Sequence, residues 1–213
     1  MGTNAEGNEK ESPVLDALAY LPVTVIGFAV LTGWLHASGI EYYPEGHAIV
    51  DLFHPAVYVG SLFFHANWAH YQGNIAVLLP FGLFLTWLTN NRHVLFVIAA
   101  SHFLASVFLV ASFLTVGVAM FGVGSSLAVY GVMGASVLAT AGYLRDTKGW
   151  NSAVGVALGL LTLFYIVTVF LHLGHAFGLL FGTVIESFYV FGGTEEDMKS
   201  VGNEYTPVIQ KYR

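Results

Sequence analysis

A chain of 213 residues in which 56% are hydrophobic and 9% charged has too few charges to cover a water-facing surface, since soluble domains carry about a quarter. A mean hydropathy of +0.70 points instead to a polytopic helical membrane protein of one domain. The formal net charge of −6 carries no nucleic-acid signal, and the lack of cysteine excludes disulfides and thiolate metal sites.

The opening residues MGTNAEGNEKESP (1–13) are polar and acidic without a basic start, so they are expected to be a cytoplasmic segment and not a cleavable signal peptide. Apolar runs of about 20 residues then predict six spans within residues 14–191. They are Leu15–His36, His70–Leu88, His93–Val116, Ser126–Leu144, Ser152–Val169 and Gly174–Phe191. A spanning segment must satisfy its own backbone, so each is expected to be a helix. Residues 192–213 are a polar, acidic tail. With six spans, Lys10, Arg92, Arg145, Lys148, Lys199, Lys211 and Arg213 all fall on one side, while the opposite loops hold Glu41, Glu45 and Asp51. The positive-inside rule then puts both termini in the cytoplasm, with the cell membrane as the expected location.

In this arrangement the second, fourth and sixth spans all run from the outside inward, and each begins with polar residues. HANWAHYQGN (65–74) places His70 and Asn74 at i, i+4 on one face, with His65 in the loop before them. Metal ligation, core hydrogen bonding and catalysis are all open for such a cluster. Zinc needs three or four ligands, and the chain has nine His but no HExxH and no acidic residue near these outer ends. No metal or other cofactor is expected.

GVGSSLAVYGVMGA (122–135) follows. Gly122 and Gly124 permit a tight approach into the fourth span, where Ser126 is either an ordinary N-cap or a reactive group. Tyr130, Gly134 and Leu138 recur at four-residue steps, and Gly131, Ala135 and Ala139 form a small-residue stripe. In HLGHAFGLLFG (172–182), His175, Gly178 and Gly182 share a face, and the GxxxG pair invites close helix contact. His175 is thereby turned into the bundle, either to bond a carbonyl or to act chemically.

HxxxxHxxxN, GxSxxxYxxMG and HxxGxxxG, in that order and each on an inward-running span, resemble the rhomboid intramembrane serine proteases. The resemblance covers about His65 to Phe191 and implies an all-α, six-transmembrane-helix rhomboid-like bundle. It implies Ser126 as nucleophile, favoured over the adjacent Ser125 by the spacing to Tyr130 and Met133–Gly134, His175 as general base, Tyr130 packed on the imidazole, and His70 and Asn74 as oxyanion donors. His65 corresponds to the family's outer histidine, and Gly124 to the first glycine of its serine motif. Gly134, Gly178 and Gly182 correspond to its helix-packing glycines. The implied partners are transmembrane protein substrates and the lipid bilayer. Leu127 stands where the family has a second glycine, EYYPEGH replaces the usual Trp-Arg region of the first outer loop, and the fifth outer loop is short. Leu127 keeps a second expectation in play, an inactive rhomboid-like protein that binds transmembrane helices. An ion or small-molecule carrier has little support, because the spans hold almost no acidic residues in mid-membrane.

Other positions have plain expectations. Pro22 and Pro80 are expected inside helices as kinks. His36, His47, His54, His93 and His102 are expected near interfaces as unremarkable histidines. Trp34, Trp68, Trp87 and Trp150 are expected to form aromatic belts at span ends.

Overall fold

A computed structural model describes residues 21–40, 55–115, 124–147, 159, 162–163, 167 and 173–191. The described residues form helices and no strand: α1 (Val23–Ala37), α2 (Pro55–Phe63), α3 (Trp68–Leu88), α4 (Asn91–Thr115), α5 (Ser126–Thr147) and α6 (Leu173–Phe191). Trp68–Leu88, Asn91–Ser112 and Ser126–Leu144 are long and apolar enough to cross a membrane, while Val23–Ala37 and His175–Phe191 are shorter apolar helices. Large apolar side chains including Leu95, Phe96, Phe103, Leu104 and Val107 line the outside of α4. Together with the apolar composition, these features argue for a membrane-associated helical protein.

The helix starts are set by local chemistry. Asn67 is extended (φ −163°, ψ 171°) and caps α3, its side chain accepting from the His70 N–H at 2.8 Å. Asn90 does the same for the His93 N–H of α4, also at 2.8 Å. Asn91 then ties two helix starts together, donating to Leu21 O at 2.9 Å and accepting from Thr24 N at 3.1 Å. Hydroxyls within the bundle turn back on their own helix, as in Thr86 to Gly82 O at 2.8 Å and Thr140 to Ser136 O at 2.6 Å. Such back-bonding lets polar side chains sit among apolar ones without an unsatisfied donor.

α5 is the central element and packs on α3, α4 and α6. Ala128, Val129, Val132, Met133 and Ala135 are buried there with Val77, Leu78, Phe81 and Leu85 of α3 and Val94, Val97 and Ile98 of α4. The α5–α6 contact is made by backbone. A Cβ at Gly182 would meet the Gly131 carbonyl, one at Gly134 would meet Leu179 O and Thr183, and one at Gly178 would meet the Leu127 backbone. Lipid offers apolar side chains the same environment as a neighbouring helix, so close van der Waals fit of this kind is what holds two membrane helices together.

At the end of the bundle away from Ser126, His93 Nε2 lies 2.6 Å from Glu186 Oε2, both side chains are buried, and the Tyr189 ring packs edge-on over the imidazole at 4.3 Å. Glu186→Ala leaves a buried imidazole without its hydrogen-bond partner, and the expected loss is about 1–3 kcal/mol of stability. Thermal unfolding in detergent checks this, and a wild-type melting temperature would contradict it.

Several expectations change against this frame. His93 and His102 are not unremarkable interface groups: both are buried, and His102 Nε2 lies 3.0 Å from both Ser61 Oγ and Tyr58 O. A uniformly apolar helix such as α4 carries no periodic signal to say which face turns inward. Pro22 stands at the N-cap of α1 and not inside it, whereas Pro80 does lie within α3. α2, only nine residues long, is too short to register as a span. The start of the first expected span and most of Ser152–Val169 lie outside the described residues, as do His47, His54, Trp150 and the residues of both termini. Trp34, Trp68 and Trp87 are exposed at helix ends.

Candidate functional site

Three helix starts meet at one end of the bundle. The chain enters α5 through Gly124, whose φ of +130° is a backbone conformation open to glycine at little steric cost. Its N–H donates to Ser61 O at 2.9 Å, which hangs the entry loop on the last turns of α2. On its other side the His70 ring of α3 lies so close that a Cβ would come within 2.5 Å of Cε1 and 2.8 Å of Nε2. Gly124 therefore satisfies two demands at once, the left-handed backbone and the space for the imidazole.

Ser125 is fully buried. Its carbonyl accepts the first helical bond of α5, from Val129 N at 2.9 Å. Its hydroxyl is engaged by two other elements: Asn74 Nδ2 donates to Ser125 Oγ at 3.2 Å, and His65 Nε2 lies 2.9 Å from the same oxygen. His65 is buried between α2 and α3, with the His70 ring 5.4 Å away and the Tyr71 ring at 5.4 Å, both edge-on. Burial first, and then the neighbouring His70 and His36, push the His65 imidazole down to about 4, so it is neutral at physiological pH.

Ser126 opens α5 and is half-buried, unlike its neighbour. One helical turn further on, Tyr130 is buried and its ring stacks on His175 of α6, with centroids 4.2 Å apart and planes at 12°. His175 is itself half-buried. Three residues beyond it, Gly178 rests on the Leu127 backbone, so the first turns of α5 and α6 touch. Leu127 is buried, so its bulk lies inside the bundle.

Of the residues singled out in the sequence, His65, His70, Asn74, Gly124, Tyr130 and His175 thus gather around the Ser125–Ser126 pair. Gly134, Gly178 and Gly182 lie along the α5–α6 seam that holds this end closed. Ser61 and the bonding of the Ser125 hydroxyl to His65 and Asn74 escaped the sequence reading. The first lies in a helix too short to detect, and the second involves one of two adjacent serines whose directions depend on tertiary contact. Among the described residues no three His, Asp or Glu side chains converge as metal ligands. The arrangement offers a half-buried hydroxyl, an imidazole held flat against an aromatic ring, and amide and imidazole donors beside them. That set is suited to acyl transfer. No family model, no curated protein and no solved structure matches the chain.

Proposed function

We propose that this chain is an intramembrane serine endopeptidase that hydrolyses peptide bonds within or beside transmembrane segments of other membrane proteins. The observation that carries the reading is the Tyr130–His175 stack, one turn below Ser126 on the contacting ends of α5 and α6. A serine hydroxyl is a weak nucleophile until a base takes its proton. Ser126 Oγ attacks the scissile carbonyl carbon as His175 accepts that proton. The amine leaves with the proton returned from His175, and water repeats the sequence to release the acid. Ser125 also has an imidazole within bonding distance, but its complete burial leaves no room for a substrate carbonyl, so the nucleophile is assigned to Ser126.

The tetrahedral oxygen gathers negative charge, and donors aimed at it lower the barrier. His70, Asn74 and the Ser126 N–H fill that role. Asn74→Ala is expected to lower kcat by about 10²–10³-fold with little change in KM, as loss of one such donor does elsewhere. Steady-state kinetics check this, and an unchanged kcat would remove Asn74 from the mechanism. Six spans with both termini in the cytoplasm put the site near the outer face, where water reaches it, a placement supported by the one-sided Lys and Arg pattern. A substrate must present extended backbone, since a helical peptide bond is shielded by its own hydrogen bonds. Helix-breaking residues near the cut are expected.

The test is cleavage of a transmembrane reporter by purified protein in liposomes, with Ser126→Ala alongside. The reading expects cut reporter with the wild type and none with the variant. Folded wild-type protein that binds the reporter without cutting it would favour the inactive, helix-binding alternative.

A further inference from the structure

We propose that Ser125, although it takes no part in bond making, is a positioning residue that fixes which way the Asn74 carboxamide faces. The proposal rests on the protease reading and extends it by one shell. A primary amide has two N–H donors on one side and a carbonyl acceptor on the other. A buried hydroxyl beside it can accept from the nitrogen or donate to the oxygen, and these two choices turn the amide through half a circle. The hydroxyl's remaining partner decides between them.

Here that partner is His65 Nε2, 2.9 Å from Ser125 Oγ. His65 is assigned the neutral tautomer with Nε2 unprotonated, which commits the Ser125 proton to the imidazole. Only oxygen lone pairs then face Asn74, and Asn74 Nδ2 donates to Ser125 Oγ at 3.2 Å, which is the arrangement observed. One amide proton is thereby consumed and the other is left for the oxyanion. His65, Ser125 and Asn74 form a directional chain, and every member is buried. Burial strengthens each bond and makes a reversed amide costly. The chain also links three places in the fold: the α2–α3 loop, the second turn of α3, and the residue before the nucleophile. Asn74 is thereby kept in register with Ser126. Glu186, the described carboxylate of α6, takes no part, since it is bonded to His93 at the other end of that helix.

A positioning role differs from a merely structural one in how it combines with the residue it positions. Kinetics of reporter cleavage in liposomes are compared for the wild type, Ser125→Ala, Asn74→Ala and the double variant, with thermal unfolding measured for each. Ser125→Ala is expected to lower kcat about 10- to 100-fold at nearly constant KM, the scale of a misplaced catalytic group. In the Asn74→Ala background the same change is expected to cost nothing further, because its effect runs through Asn74. Additive losses in the double variant, or an unchanged kcat in Ser125→Ala, would overturn the proposal. So would a Ser125→Ala protein that does not fold, since the hydroxyl would then be holding the bundle and not aiming the amide. A wild type that fails to cut the reporter at all removes the protease reading itself, a result distinct from either.

Discussion

Ser126→Ala is expected to lower turnover of a transmembrane substrate by at least about 10³-fold, and His175→Ala by a similar factor, with thermal stability retained in both. In the proposed mechanism the hydroxyl and the imidazole act as a unit, so the double variant is expected to be no worse than the poorer single one. A three-membered arrangement would hold the imidazole with a carboxylate. In this chain the described carboxylate of α6, Glu186, lies eleven residues beyond His175, about 16 Å along the helix, and is bonded to His93. The Tyr130 ring covers one face of His175 at 4.2 Å and so restricts the plane of the imidazole. Initial-rate measurements decide the matter. Two independent, multiplying losses would show that the groups do not share a proton.

The second large effect is expected at Gly182. An added methyl there would lie 2.5 Å from the Gly131 carbonyl carbon and 2.6 Å from its Cα. Both are backbone atoms of α5, so no rotamer change relieves the overlap and the two helices must separate. Overpacking of a tight contact costs about 1–3 kcal/mol and occasionally more, and Gly182→Leu is expected to exceed Gly182→Ala. Activity is expected to fall with stability, because α6 also carries His175, two turns earlier on the seam. Gly27→Ala is the matched control. Nothing lies within 4 Å of its added carbon, and alanine is the better helix former by about 1 kcal/mol. That variant is expected to be as stable as the wild type or slightly more so. Equal melting temperatures for Gly182→Leu and Gly27→Ala would mean that α5 and α6 do not meet through bare backbone.

The starts of α3, α4, α5 and α6 were legible in the sequence, each within about two residues, because each apolar run is introduced by polar or small residues that cap or turn the chain. The expectation that His70, Asn74, Ser126 and His175 share one end came from the parity of the six expected spans, and the starts of α3, α5 and α6 that carry them do lie together. What the pattern could not reveal were interactions between residues far apart in sequence on helices without a polar face. The His93–Glu186 pair joins positions 93 residues apart, and nothing in either local window marks them as partners. Ser61 is similar: a nine-residue helix of mixed character gives no span signal, yet its carbonyl holds the Gly124 loop at 2.9 Å. The two adjacent serines show the limit most clearly. Spacing to Tyr130 distinguishes Ser126, but only the fold shows that the Ser125 hydroxyl is buried against Asn74 and His65 while Ser126 stays partly open.

The most direct measurement is covalent capture of the activated hydroxyl with a fluorophosphonate probe in the folded protein, followed by peptide mapping of the adduct. The expected result is a single adduct on Ser126 that vanishes in Ser126→Ala, falls sharply in His175→Ala and persists in Ser125→Ala. An adduct on another serine, or labelling that survives both the Ser126 and the His175 substitutions, would contradict an imidazole-activated Ser126.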